Sequence, residues 1–334
     1  MQERVFNFAP NRVSVPTTVQ FELTYRCTNA CPFCYNHFTE LGSIEAPTSA
    51  IKAALDNLAS AGVFSVNFNG GEPLVREDFF QIAEHAVSLG MDVHLNTNST
   101  LVGKIEARHL ARLFPAVCTT VLSAQRKVHD ELSGRIGAFE ENKRGILALK
   151  AEDIYLAANV TLSDRNASEI TRTLQYMRVL GIETALLTRI ITFPGQPPDL
   201  ALSDRALHDV LCDALQFQGG NLRFPRMAFP QPYPPCMLPA EIQDAVVKCN
   251  IPCTIGLNTA RVSPNGDVTP CTLVDQPVLG NVIETPFREI WERFDGKAFF
   301  LSRLPFKACE SCEELGHCGG GCCGTNNASQ HKST

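Results

Sequence analysis

Between Val19 and about Leu215, short β-rich runs alternate with segments of helical period, and this alternation constrains the fold more than any other feature. The strand candidates are Val19 to Thr24, Ser65 to Asn69, Asp92 to Asn96, Thr119 to Leu122, Tyr155 to Leu162 and Thr184 to Ile191. The intervening segments put apolar residues on one helical face, as in Ile51, Leu55 and Leu58 or Ile170, Leu174, Met177 and Leu180. Six β-then-α units predict a parallel sheet with outer helices, because parallel neighbours need a crossover of that length. An open flavodoxin-like sheet and a partial barrel both satisfy the count. In barrels, functional residues gather at the C-terminal strand ends. Here those ends carry Cys27 to Cys34, Gly70 to Pro73, Asn96-Thr97-Asn98, Ser123 and Arg189.

Cys27, Cys31 and Cys34 follow the first strand candidate in the spacing C-x3-C-x2-C. Three thiolates can hold three irons of a cubane [4Fe-4S] cluster and leave the fourth open to a small molecule. Zinc, with His37 as its fourth ligand, is the alternative. At the end of the second strand candidate, Gly70-Gly71-Glu72-Pro73 supplies glycines that let a backbone approach a ligand closely and offer its carbonyls to an ammonium group. A side chain at Gly71 is therefore expected to obstruct the ligand.

These cysteines, the preceding Glu22-Leu23-Thr24-Tyr25-Arg26 and the Gly70 to Pro73 run together resemble the radical S-adenosylmethionine (SAM) enzymes. The resemblance implies an α/β chain with a partial (β/α)6 barrel and the cluster loop after its first strand. It implies that SAM chelates the open iron and is cleaved to a 5′-deoxyadenosyl radical, with an electron donor such as flavodoxin or ferredoxin. It assigns Phe33 to the neighbourhood of the adenine and Gly70, Gly71, Glu72 and Pro73 to the amino group of SAM. Ser123, Asn98, Asn159 and Arg189 become further cofactor contacts. Read as residues alone, Ser123 and the two asparagines also suit caps or turns.

A second cysteine constellation closes the sequence: Cys309-x2-Cys312-x5-Cys318-x3-Cys322, preceded by Cys253-x12-Gly266-x4-Cys271. Soft thiolates at this density select iron–sulfur clusters or zinc, and Gly319-Gly320-Gly321 permits tight wrapping around a cluster. The arrangement resembles the SPASM extension of radical SAM enzymes, with one or two auxiliary [4Fe-4S] clusters. By that resemblance Cys253, Cys271 and Cys322 serve the first auxiliary cluster, and Cys309, Cys312 and Cys318 the second. Thr259 stands where relatives often have another first-cluster cysteine, so Cys249, Cys236 or no residue is left as fourth ligand there. For the second cluster the remaining candidates are the adjacent Cys323, which strain disfavours, and His331. Cys118 and Cys212 read as small buried hydrophobes. Cys236, in the proline-fixed run Pro232 to Met237, is a candidate catalytic hydrogen-atom donor to a substrate radical or else a cluster ligand.

The chain has 334 residues, enough for a large domain and a smaller one. The expected division is a barrel over 1–217, a Pro-rich connecting or substrate-facing segment over 218–247 and a cysteine-rich module over 248–334. A net charge of −6 without a basic stripe argues against nucleic acid, and no apolar run suits a membrane span or a signal peptide. Fourteen cysteines without an export signal favour metal over disulfides, hence a reducing cytoplasm.

By resemblance, the leading substrate is a peptide or protein side chain, oxidised, cross-linked or epimerised after hydrogen abstraction. The run Ser123 to Asp130 followed by Gly137-Ala138-Phe139 looks like peptide-maturing members. Only about eighteen residues precede the first strand, so the barrel, the cysteine-rich module or a partner is expected to recognise a precursor. The alternative enzyme is a dehydrogenase or C–C bond-forming catalyst acting on a small molecule in cofactor or antibiotic biosynthesis. A non-catalytic electron carrier would leave Gly70 to Pro73 without a purpose.

Overall fold

The computed structural model describes residues 13–36, 45–104, 107–191, 198–219, 226–271 and 277–324. Six strands come first: β1 (Thr18–Thr24), β2 (Ser65–Gly70), β3 (Asp92–Asn96), β4 (Ala116–Thr120), β5 (Tyr155–Leu162) and β6 (Thr184–Arg189). They pair in sequence order and all in parallel, with helices in every crossover. This is the partial (β/α)6 barrel, and the open flavodoxin-like order is excluded.

Alternation along the strands explains why the barrel has a usable interior. One face of each strand forms matched apolar rows, with Phe21 opposite Phe68 and Phe68 opposite Leu95, or Ala158 opposite Ala185 and Val160 opposite Leu187. These rows are buried against helices that contribute Ile51, Leu55, Ile82, Ile146, Leu174 and Met177. The other face is mostly polar, carrying Gln20, Asn67, Asn69, Asn96, Asn159, Thr161 and Thr188. Parallel strands buried on both faces are usually apolar throughout. A polar inner face needs hydrogen-bonding partners, and here Gln20 Oε1 accepts from Asn67 at 2.9 Å and Asn69 at 3.1 Å.

Two strand boundaries differ from expectation. The fourth strand begins at Ala116 and ends at Thr120, rather than spanning Thr119 to Leu122. Its early residues pair with both neighbours, with Cys118 opposite Asn96 on one side and Ala157 on the other. Cys118 therefore lies within the strand. The sixth ends at Arg189, not Ile191.

The Pro-rich segment contributes β7 (Arg226–Ala228), an edge strand parallel to β6 that ends before the proline-dense run. That run is fastened to the end of the following helix, Ala240–Cys249: Tyr233 N–H donates to Asn250 Oδ1 at 3.0 Å, and Asn250 Nδ2 returns to Tyr233 O at 2.9 Å. At the opposite edge β8 (Thr259–Val262) pairs in parallel with β1, followed by antiparallel β9 (Asp267–Thr269) and β10 (Gly280–Asn281). One ten-stranded sheet thus runs from the barrel into the cysteine-rich region.

The seam is packed as a core. Phe287 and Trp291 are fully buried, and Trp291 Nε1 donates to Val13 O at 3.2 Å. Burying such a side chain contributes about 1.5–3 kcal/mol. Asn57, on the first barrel helix, donates to Val282 O and Thr285 O and accepts from Phe287 N–H at 2.8–2.9 Å. Among the described residues no helix is long and apolar enough to cross a membrane.

Candidate functional site

The polar inner face opens into a cavity of about 380 Å³ at the C-terminal strand ends. The loop carrying Cys27, Cys31 and Cys34 forms one wall of it. Backbone bonds from two directions hold that loop. Gly71 N–H donates to Thr24 O at 2.7 Å and Glu72 N–H to Arg26 O at 2.8 Å. From the other side Ala30 N–H donates to Ser133 O at 2.9 Å, and Arg135 Nε to Asn29 Oδ1 at 3.0 Å. The Asp130 carboxylate accepts from the N–H groups of Gly137 and Phe139, both at 2.8 Å. The Ser123 to Phe139 stretch therefore acts, at least in part, as a buttress for the cysteine loop.

The three thiols sense one another. Burial pushes Cys31 strongly upward, with further contributions from Cys34 and Cys27, and burial pushes Cys34 up to about 12. Such thiols need a metal to become thiolates. Asn29 N–H already points to Cys27 Sγ at 3.4 Å, and Asn98 Nδ2 lies 3.6 Å from the same sulfur. Among the described residues, no three Cys, His, Asp or Glu side chains converge as a single metal ion requires. His37 lies outside the described residues.

The glycines answer to a steric demand different from the expected one. Gly70 has φ +127°, and a Cβ there would stand 2.3 Å from Thr24 O; a Cβ on Gly71 would stand 2.1 Å from Arg26 O. Both contacts are with backbone where β1 runs into the cysteine loop. A side chain at Gly71 would thus displace the loop itself, which corrects the expectation that it obstructs only the ligand.

Glu72 and Pro73 are buried and do not line the cavity. The Glu72 carboxylate accepts from Thr97 Oγ1 at 2.8 and 2.9 Å, Asn98 N–H at 2.7 Å and Leu74 N–H at 3.2 Å. Burial outweighs these bonds and lifts its pKa to about 7. It positions the end of β3, so its expected direct contact with a cofactor is corrected to a supporting one. Ser123 is likewise absent from the cavity wall: it is fully buried, its hydroxyl bonded to Glu169 and accepting from Gln125 N–H at 2.8 Å. The strand ends three residues before it, which is why its register was misjudged.

Phe33, Gly70, Gly71, Asn98, Asn159 and Arg189 do line the cavity. Phe33 packs on Leu122, Leu132 and Leu200. Asn98 Nδ2 donates to Thr28 Oγ1 at 2.8 Å, linking β3 to the cysteine loop. Asn159 Oδ1 accepts from Thr188 Oγ1 at 3.0 Å. Arg189 lies 4.4 Å over the Tyr233 ring, donates from Nη2 to Pro232 O at 3.2 Å, and keeps Nε buried without a partner. Among the described lining residues it is the one with an ionic side chain. Sequence reasoning overlooked Asn69, whose Oδ1 is buried, unpartnered and on the cavity wall beside Gly70. Its place before the glycine pair was the available signal. It also misjudged Cys118, which faces the cavity rather than the core.

The remaining thiols sort into two groups. Cys253 feels the fields of Cys322, Cys323 and Cys271, and Cys323 those of Cys322 and Cys271. Cys318 feels Cys312, Cys236 and Cys309. Cys236 is exposed on a 3-10 turn (Pro235–Met237) and is not among the residues that line the cavity. Cys249 is buried in the main core with Arg226 as its charged neighbour, which removes it from the ligand candidates. Cys212 packs on that core from a helix, and His331 lies outside the described residues.

Residues 21–177 match the model of the radical SAM superfamily, and residues 253–318 match SPASM, an iron–sulfur cluster-binding domain. The AdoMet-dependent heme synthase of Methanosarcina barkeri is 30% identical over 92% of this chain and 91% of its own. The chain belongs to the radical SAM superfamily. As a radical SAM enzyme with a SPASM domain it uses SAM and a [4Fe-4S] cluster, with auxiliary iron–sulfur clusters in the SPASM domain. Mycofactocin maturase MftC of Mycobacterium tuberculosis is 27% identical over 93% of this chain and 79% of its own. Among solved structures, SAM-bound SuiB of Streptococcus suis superposes with a TM-score of 0.76 at 19% identity, covering 96% of this chain and 75% of that one. That likeness concerns the fold.

Proposed function

We propose that Cys27, Cys31 and Cys34 hold the cluster that SAM chelates, and that the chain abstracts hydrogen from a peptide reaching into the cavity, giving an oxidised, cross-linked or epimerised product. When bound, cluster and SAM supply a 5′-deoxyadenosyl radical that removes a hydrogen atom from the substrate. Asn69 Oδ1 and the carbonyls at Gly70 and Gly71 would accept from the ammonium group of SAM, Phe33 would pack against its adenine, and Asn159 would hydrogen-bond its polar periphery. Glu72 keeps Asn98 and the end of β3 in place. Arg189 receives a carboxylate, from SAM or from the substrate.

The observation carrying the peptide reading is the size of the cavity. At about 380 Å³ it is near the lower end of small-molecule sites, about 300–1,000 Å³, before SAM enters. What is left admits a protruding group better than an engulfed molecule, and a side chain on a peptide lying outside meets that demand. One specific observation favours a second reading: the 30% identity to a heme synthase over nearly the whole of both chains. A porphyrin could present one propionate to Arg189 while its macrocycle stays at the mouth.

The test is anaerobic turnover with SAM and reductant, offering short peptides encoded beside the gene and, separately, a propionate-bearing iron porphyrin. Peptide-dependent 5′-deoxyadenosine with a mass loss of two hydrogens, or deuterium uptake at constant hydrogen count, supports the first reading. Porphyrin-dependent 5′-deoxyadenosine with a changed porphyrin mass replaces it with the second.

A further inference from the structure

We infer that Arg189 is a receptor for a substrate carboxylate, so that the peptide is chosen by an acidic side chain or a free C-terminus presented to the β6 side of the cavity. The inference rests on the peptide reading and adds to it the chemistry by which the substrate is recognised. Arg189 is the last residue of β6 and stands on the cavity wall beside Leu186, Ile190 and Ile191. Its orientation is set from three sides. The backbone N–H donates to Gln231 Oε1 at 2.5 Å, Nη2 donates to Pro232 O at 3.2 Å, and the guanidinium carbon lies 4.4 Å over the Tyr233 ring. The run that carries these partners is itself anchored by the two bonds between Tyr233 and Asn250. A guanidinium fork fixed in this way loses little freedom when it meets a carboxylate.

Every one of those partners is neutral. Arg189 is half-buried, its Nε is buried without a partner, and among the described residues no Asp or Glu pairs with it. The arginines that brace β1 and the cysteine loop differ: Arg76 meets Asp78 at 2.7 Å, Arg135 meets Glu141 at 2.7 Å, and Arg261 meets Glu22. A guanidinium drawn out of water and left without a counter-ion is costly, and an apolar wall beside it strengthens its pull on an anion. A carboxylate answers that charge with paired N–H to oxygen bonds.

The carboxylate of SAM lies too far round the barrel to serve. It shares one carbon with the amino group, which the proposed arrangement assigns to Gly70 and Gly71 at the end of β2. In the sheet order β6 lies four strands from β2, about 19 Å along the curved sheet at the usual strand spacing. A molecule whose amino group sits at β2, next to the cysteine loop that follows β1, keeps its carboxylate on that side. The anion on Arg189 therefore belongs to the substrate.

The test measures binding without turnover. Reconstituted chain, loaded with SAM and kept unreduced, is titrated calorimetrically with the short peptides encoded beside the gene, each as free acid and as C-terminal amide, and with each Asp or Glu exchanged for Asn or Gln. One of these neutralisations should weaken binding by about tenfold to a hundredfold, the range of a charge-assisted hydrogen bond, and the one that does so names the carboxylate. Arg189→Gln should lower the affinity of the acid form to that of its neutral counterpart and leave the neutral form unchanged, while Arg189→Lys should recover part of the loss. Neither variant should change SAM affinity. Acid and neutral peptides that bind alike, or a loss in Arg189→Gln shared equally between them, overturn the inference and leave the peptide reading in place. So does a fall in SAM affinity with the peptide preference intact. An iron porphyrin with free propionates, compared with its dimethyl ester, forms a second arm. If no peptide binds and the porphyrin acid binds through Arg189, the peptide reading fails and the receptor is one for a propionate; no acid preference in either arm overturns it altogether.

Discussion

The Arg261 guanidinium, carried by β8, donates to the carboxylate of Glu22 on the inner face of β1. Glu22 has no exposed surface, and the same Arg261 group reaches Tyr25 Oη at 2.9 Å, two residues before Cys27. The SPASM region therefore supplies the countercharge of a carboxylate inside the barrel. Burial raises the Glu22 pKa above the ordinary carboxylate value, and the Arg261 guanidinium opposes that rise.

Arg261→Met should destabilise the chain by about 3–5 kcal/mol, the cost of leaving one member of a buried pair behind. Adding Glu22→Gln should recover part of this. Denaturant unfolding of the two variants checks it, and equal stability of both would remove the pair from the account.

Alanine at Cys27, Cys31 or Cys34 should abolish SAM cleavage and leave the auxiliary iron in place, because the two sets of thiols lie on different loops. Iron content and 5′-deoxyadenosine are the measurements. A variant that still forms 5′-deoxyadenosine contradicts the assignment.

Gly71→Val should lose catalytic-cluster iron and SAM binding together, since its Cβ meets the Arg26 carbonyl rather than open ligand space. The expected pattern is an iron loss matching that of the cysteine variants. Intact iron with weakened SAM affinity alone would restore the ligand-contact explanation.

Glu72 makes stability depend on pH in a stated direction. Burial raises its pKa in the folded chain to about 7, above the ordinary carboxylate value, so the folded state holds the proton more tightly. Its contribution is fully present below about pH 4.5 and is lost as pH rises toward 7, a swing on the order of 3 kcal/mol. Unfolding of the native chain and Glu72→Gln between pH 5 and 8 should show the native chain weakening relative to the variant as pH rises. Parallel curves would mean that the carboxylate is ionised throughout.

The repeating strands and the first cysteine loop were legible because their signals are local. Strand period, helix period and the C-x3-C-x2-C spacing each fit within one turn or one element. Ser123 was misjudged because Cys118 and Ala116 carry little β character, which moved the expected strand downstream. The role of Glu72 was hidden because a buried carboxylate and a ligand-binding one look identical in sequence. Spacing cannot say which remote segments meet. The pairing of β8 with β1 was invisible for the same reason.

That pairing makes assembly of the two iron-bearing regions a linked equilibrium. β1 carries the catalytic cysteine loop at one end, lies edge to edge with β8, and owes its inner charge balance to Arg261 on that strand. Metal bound only by the folded form adds to folding free energy. Iron held by the C-terminal cysteines would therefore add to the stability of the strand edge that β8 shares with β1, and its loss would weaken the edge next to the catalytic loop.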